Sequence, residues 1–268
     1  MILPLVLSVV FGLMIATKQF QSDSQLAKFS EWVSLILSLV GGWVLYTFYG
    51  QHLTVLNLGT NMGLRFTVDG LAVVFGGMVC LLWPIATHYA KTYMKHEGKF
   101  RRFFSFYILT FGVVLGLALS DNLFTLYLFY ELLTIVTLPL VVHNERSRDF
   151  YAGRKYVAYM IFGAALTFSG MMLFISNVDT FQFTLGGTTP DILSAQLQWG
   201  YVLMFCGFGV KAGLFPFHGW LLAAGVAPTT VSSLLHAVAV VKSGAFAIMR
   251  VTFYLYDPEV LATTIVQP

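Results

Sequence analysis

Charge is scarce in this chain. Only 10% of its 268 residues are Asp, Glu, Lys or Arg, against about 25% in an ordinary soluble domain. That leaves too little polar surface to solvate a globule of this length. Cysteine is nearly absent: Cys80 and Cys206 both sit inside apolar runs, with no CxxC and no metal-ligand spacing. This excludes a disulfide framework and a zinc ribbon and leaves two inert thiols. No glycine-rich phosphate loop, haem-attachment signature or iron–sulfur spacing occurs, so no cofactor is expected. The net charge is only +3 and the basic residues form no stripe or finger, which excludes a nucleic-acid partner. No nucleophile–base pair stands out, so catalysis within this chain is not expected. There is no low-complexity linker and no soluble domain.

What is there is apolar surface: 57% of the residues are hydrophobic, including 25 Phe, beside 24 Gly. Such a surface must face lipid or other membrane helices. A spanning helix needs about 20 mostly apolar residues. Eight segments meet or approach that length, at 2–17, 32–50, 69–93, 103–119, 122–143, 152–176, 199–225 and 229–255. The expected fold is an all-α integral membrane protein of about eight transmembrane helices. The first run lacks a basic n-region and an A-x-A cleavage site, so it reads as a retained helix rather than a signal peptide.

Two connecting stretches are longer. Residues 51–68 alternate roughly around an Asn/Gly turn and suggest a surface β-hairpin. Residues 177–199 contain FQFTLGG and a Pro190-Asp191 helix start, which suggests a second surface cap. Eleven Lys and Arg residues, from Lys18 to Lys155, fall in the loops after the first, third and fifth segments. Arg65 and Arg250 fall on the opposite side, and Lys211 and Lys242 lie inside segments. The positive-inside rule then places the odd loops in the cytoplasm and both termini outside.

Charge inside a span costs about 2.5–3.5 kcal/mol per residue at the helix centre and persists mainly where it functions. Glu131 lies ten residues past Asp121 in LFTLYLFYELLTIVTLPLVV, about 15 Å along the helix. Pro139 follows two turns later and is expected to bend it. Lys211 lies in YVLMFCGFGVKAGLFPFHGW, where Gly209, Gly213 and Pro216 surround it. A glycine-rich helix with an internal Pro is expected to break there, and broken helices at membrane depth line cavities or lie within protein. His236 and Lys242 share VSSLLHAVAVVKSGAFAIMR. At about 120° apart on an α-helix they can border a single water chain. The expected chemistry is proton transfer: approach of Glu131 to Lys211 holds a proton, separation releases it, and an imidazole passes protons both ways near neutrality. The bland alternatives are a structural carboxylate for Glu131, a snorkelling lysine for Lys211 and a hydrogen-bonded helix contact for His236. His88, His143 and His218 read as interfacial.

The segments SDNLFTLYLFYELLT (120–134), VKAGLFPFHGWL (210–221) and APTTVSSLLHAVAVVKSGAFAIMR (227–250), with FTVDGLAVVF (66–75), resemble the antiporter-like subunits shared by respiratory complex I, Mrp cation/proton antiporters and membrane-bound hydrogenases. The YELLTIVTLPLVVH wording is most similar to the Mrp D-type and hydrogenase branch. The resemblance implies a five-helix proton-channel repeat over 103–256 with a broken seventh helix, preceded by a three-helix segment with the hairpin over 1–102 and followed by a tail over 257–268. It further implies that Glu131 and Lys211 are the family's buried carboxylate and lysine, that His236 and Lys242 fill its relay position, and that the setting is a prokaryotic plasma (inner) membrane. Leu222 and Ala223 stand where the family usually has Pro-Asp, so an acidic loop residue is missing. Family members usually continue into a second, inverted repeat. This chain ends at Pro268, so it is expected to hold at most one half-channel, the other supplied by a partner subunit or by a longer chain.

The function implied is proton translocation within a multi-subunit energy-converting complex, with lipid, H+ and other membrane subunits as partners. Any redox chemistry, of an NADH or ferredoxin–quinone oxidoreductase or a hydrogenase, would sit in those partners. The alternatives are Na+ or K+ exchange for protons, with unwound carbonyls near Gly209–Pro216 as ligands, proton-coupled uptake of inorganic carbon, and a scaffold without flow. Two lysines within the spans weigh against the cation reading.

Overall fold

The computed structural model describes residues 1–59, 62–95, 97–178, 180–190 and 192–264. Helices α1 (Leu3–Thr17) and α2 (Asp23–Thr47) lead into a hairpin of β1 (His52–Asn57) and β2 (Gly63–Thr67). Then come α3 (Gly70–Tyr93), α4 (Phe100–Ala118), α5 (Leu123–Val141) and α6 (Ser147–Ile175). Next are α7 (Ala195–Ala212), the short α8 (Gly219–Ala224) and α9 (Thr229–Ser233). A π-helical turn (Leu234–Val238), α10 (Val240–Arg250), a second π turn (Val251–Leu255) and α11 (Pro258–Thr264) complete the described residues.

Among the described residues, six helices are long and apolar enough to cross a membrane: α2 to α6 and the continuous stretch Thr229–Leu255. The other two expected spans differ. Helix α1 has 15 residues, about 22 Å at 1.5 Å per residue, which is short of a hydrocarbon core about 30 Å thick. The seventh is divided into α7 and α8. Helices α2, α4, α6 and α7 begin earlier than their apolar runs. Ser22 caps α2 by accepting from the Gln25 backbone N–H, and Asp149 reaches back to the Arg146 backbone N–H to start α6. Capping fixes these starts whatever the lipid demands. Lys28, Arg101, Arg102, Arg154 and Lys155, read from sequence as loop residues, therefore sit on helices, near their starts.

The alternating stretch folds as an antiparallel hairpin, with a register shift between Thr54 and Leu56; Thr60 and Asn61 of its turn lie outside the described residues. Asp191 of the expected Pro190-Asp191 helix start also lies outside them, and α7 begins at Ala195 with Ser194 as its cap. The segment ahead of α7 crosses one end of the bundle. A π turn leaves unpaired carbonyls at its C-terminal edge. The N–H groups of Thr184, Gly186 and Thr188 donate to the carbonyls of Tyr254, Phe253 and Leu255, which closes that edge.

Helices α6 and α7 pack closely because glycines face each other. A Cβ at Gly163 would lie 2.9 Å from the Gly207 carbonyl oxygen, and one at Gly207 would lie 2.6 Å from the Thr167 nitrogen. Small residues at such crossings bring backbones together in membrane bundles. The buried core between α3 and α4 is aromatic, with Trp83 5.1 Å from Tyr107 and 5.5 Å from Phe111.

Candidate functional site

Helix α7 ends at Ala212 because Gly213 turns left-handed, φ 74°, a conformation glycine adopts without penalty. Residues 213–218 are non-helical, and Leu214, Phe215 and Pro216 are exposed. Two of the carbonyls at the break have donors. Leu214 N–H donates to Gly209 at 2.9 Å and Gly213 N–H to Val210 at 3.1 Å. Trp220 Nε1 also donates to Val210, at 2.7 Å. These two carbonyls are therefore not free ligands for a cation.

Lys211 lies just before the break and is fully buried. Its Nζ donates to the Tyr130 carbonyl and, at 2.8 Å, to Thr134 Oγ1. It also rests 3.6 Å from the centre of the Tyr130 ring, a cation–π contact. Helix geometry explains the partners. Tyr130, Thr134 and Thr137 stand at i, i+4 and i+7 and share the buried stripe of α5. Tyr130 hydroxyl donates to the Gly207 carbonyl at 3.2 Å, locking α5 against α7. Thr137 Oγ1 lies 2.8 Å from the Tyr156 hydroxyl of α6, so polar groups continue beyond Lys211 towards the far end of α5.

Glu131 is next to this stripe and half-buried, with Ile135 one turn on 64% exposed. Its Oε1 is buried without a hydrogen-bond partner. Among the described residues no ion pair joins Glu131 to Lys211. The structure thus brings the two to neighbouring faces of one interface without a direct ion pair.

His236 is half-buried inside the first π turn, where Ala239 N–H donates to the Leu234 carbonyl, five residues back. Lys242 differs from the expectation of a residue bordering an interior chain: it is exposed. The cause is Gly244. A Cβ there would sit 2.8 Å from Ala212 Cα and 2.9 Å from the Lys211 carbonyl carbon, so this face of α10 is pressed onto α7. Two residues turn a helix by about 200°, which sends Lys242 to the opposite side. His236 and Lys242 make no hydrogen bond or ion pair among the described residues.

Residues 120–266 match the family model described as "NADH:quinone oxidoreductase/Mrp antiporter, TM", more than half of the chain. The chain belongs to this family. Among curated relatives it is 30% identical to the A-type subunit of a Na(+)/H(+) antiporter from Alkalihalophilus pseudofirmus, over 82% of this chain and 29% of the relative. It is 32% identical to the A/B-type subunit of a probable K(+)/H(+) antiporter from Rhizobium meliloti, over 71% of this chain and 20% of the relative. The chain thus spans less than a third of the length of these relatives. Its fold matches the structure of an Mrp complex from Dietzia sp., with a TM-score of 0.84 at 21% identity over 96% of this chain and 28% of that one. It also matches a membrane-bound sulfane sulfur reductase, an archaeal respiratory membrane complex, with a TM-score of 0.76 at 19% identity over 92% and 51%. The antiporter family, the multi-pass membrane character and the antiporter-like helical fold are thereby shown.

Glu131, Lys211, His236 and Lys242 all fall within the family-matched region. A second charged group within reach of it was not legible. Arg250, counted from sequence only as a basic residue on the outer side, is fully buried at the end of α10. It forms a two-pronged pair with Asp69, one prong at 2.9 Å, and its guanidinium lies 4.7 Å from the Tyr254 ring. Asp69 also caps α3 by accepting from Ala72 N–H at 2.8 Å. Beside it, Asp121 is buried and accepts from His52 Nδ1 of the hairpin at 3.0 Å. Burial pushes the Asp121 carboxyl above its ordinary range, with His52 opposing. At the far end of α5, His143 is fully buried and donates through Nε2 to the Gly98 carbonyl at 3.2 Å. Burial pushes its imidazole below the ordinary value. Among the described residues no three metal-ligating side chains are grouped.

Proposed function

We propose that this chain is a proton-translocating membrane subunit in which Lys211 carries the proton, Glu131 controls its charge, and His236 and Lys242 pass it on. One observation carries the reading: a fully buried lysine is held by a carbonyl and a hydroxyl, both neutral, with a carboxylate next to its binding stripe. The charge on such a group depends on how near the carboxylate comes. Two unit charges 4 Å apart interact by about 4 kcal/mol at an effective dielectric constant near 20. Moving one charge against 100 mV takes about 2.3 kcal/mol. Opening the Glu131–Lys211 distance from about 4 Å to about 9 Å would therefore supply the energy of the step.

The hydroxyls of Thr134, Thr137 and Tyr156 extend the path along the end of α5 that carries His143. Exposed Lys242 is placed to hand a proton to whatever packs against α10, and we assign that surface to the second half-channel. The helix-break residues Gly209, Gly213 and Pro216 give α7 its flexible end. The domain division 1–102, 103–256 and 257–268 follows this assignment, as does a plasma-membrane setting with both termini outside. Cation exchange is the second reading, favoured by the relatives named as Na+/H+ and K+/H+ antiporter subunits. The engaged carbonyls of Gly209 and Val210 weigh against a cation site at the break.

The test is ΔpH formation by the assembled complex in sealed vesicles, with Na+, K+ or a large impermeant cation as the sole counter-ion. Proton movement that persists with the impermeant cation and is lost in Glu131→Gln supports the proton reading. Strict dependence on Na+ or K+ supports exchange, and wild-type flux in Glu131→Gln overturns the role given to Glu131.

A further inference from the structure

A cavity of about 590 Å³ opens between the end of α5 and the start of α6. Its long walls are apolar: Leu138 and Pro139 on α5, Val142 just past its end, and Val157 and Ile161 on α6. Gly153, Val157 and Ile161 stand at i, i+4 and i+8 and so form one face of α6. Gly153 has no side chain, and Val142 leans onto it, which leaves a trough running outwards. Ile161 at its outer end is 63% exposed, so the trough opens sideways, where a spanning helix meets lipid.

The opposite end is cationic. Arg102 of α4 and Arg154 of α6 border the cavity. Arg102 is engaged with Glu145 and the Val142 carbonyl. Arg154 is exposed and has no acidic partner among the described residues. Basic pockets between membrane helices recognise anionic lipid headgroups. The cavity is in the usual range for ligand sites, about 300–1,000 Å³. A free phosphate would leave the apolar walls unused, and a zwitterionic lipid would bring its own ammonium to an end already lined by Arg102 and Arg154.

We propose that this groove is a binding site for an anionic phospholipid, with one acyl chain along the α5–α6 walls and the headgroup phosphate on Arg154 beside Arg102. The site lies outside the Lys211–Glu131 machinery and goes beyond the translocation reading. Its occupant would brace the end of α5 at Pro139, which has no N–H to offer its helix.

The experiment uses the full chain in lipid nanodiscs of phosphatidylcholine doped with spin-labelled phosphatidylglycerol or spin-labelled phosphatidylcholine, reading the motionally restricted fraction. The wild type should restrict phosphatidylglycerol preferentially. Arg154→Ala should lower that preference about tenfold, the size of one charge-assisted contact, while Arg148→Ala, an exposed basic residue outside the groove, leaves it unchanged. Ala158→Phe, at an exposed position of the lining, should reduce restriction of both lipids. Three results would each overturn the proposal: no headgroup preference in the wild type, equal losses in Arg154→Ala and Arg148→Ala, or displacement of the lipid by glycerol phosphate alone.

Discussion

Thr134 Oγ1 accepts from Lys211 Nζ at 2.8 Å, while Glu131, three residues earlier on the same helix, forms no hydrogen bond or ion pair with the lysine among the described residues. The hydroxyl, not the carboxylate, is the direct side-chain partner. Hydrogen bonds to charged groups contribute about 1.5–3 kcal/mol. Thr134→Val keeps the shape and removes the acceptor, so it should lower unfolding stability in detergent by about that amount and slow ΔpH formation. Thr134→Ser should restore both. Equal behaviour of the Val and Ser variants would show that the hydroxyl is idle.

Gly244 sets the distance between α10 and α7. Adding a methyl there forces α10 away from Lys211 and Ala212. Overpacking of this kind costs about 1–3 kcal/mol. Gly244→Ala should lower the melting temperature, and Gly244→Val more so, whereas Ala245→Val, at a half-buried neighbour, should change it little.

Removing one member of a fully buried ion pair costs about 3–5 kcal/mol. Asp69 is only part-buried, so Arg250→Ala should destabilise by less than that, through loss of the counter-charge and of the packing of the guanidinium. The double variant Arg250→Met with Asp69→Asn should recover much of that loss, because asparagine still caps α3. A double-mutant cycle by thermal unfolding measures the coupling, and additive losses would mean that the pair is not coupled.

His143 supplies a pH dependence. Its imidazole is pushed down by burial, so the unfolded chain takes up the proton first. The stability it confers is complete above the unfolded pKa of about 6.5 and is lost as pH falls below it towards the lower folded value. The gap in melting temperature between wild type and His143→Asn should be constant at alkaline pH and shift against the wild type on acidification. A gap that does not move with pH would exclude this contribution.

How much of this was legible in the sequence depended on local cost. The apolar runs of α2 to α6 declared themselves because a spanning helix must hide its backbone from lipid. Glu131 and Lys211 stood out because charge within such a run is expensive. Lys242 carried the same signal, but periodicity cannot say which face of a helix is covered, and Gly244 decides that against it. Asp69 and Arg250 were hidden for the opposite reason: each sits at the end of an apolar run, where charge costs little, and 181 residues separate them. The two π turns have no sequence signature of the kind that glycine and proline gave the α7 break. The stripe of Tyr130, Thr134 and Thr137 has a helical spacing, but hydroxyls are common in membrane helices and spacing alone does not tell which of them meets a buried lysine.

The most direct measurement is the rate of ΔpH formation by vesicles carrying the assembled complex, comparing wild type with Lys211→Ala at equal subunit content. If Lys211 carries the proton, the variant should assemble and lose at least about tenfold in rate, equivalent to 1.4 kcal/mol or more on the transfer barrier. Wild-type rates in an assembled Lys211→Ala complex would contradict the account and leave this lysine a structural tie between α7 and α5.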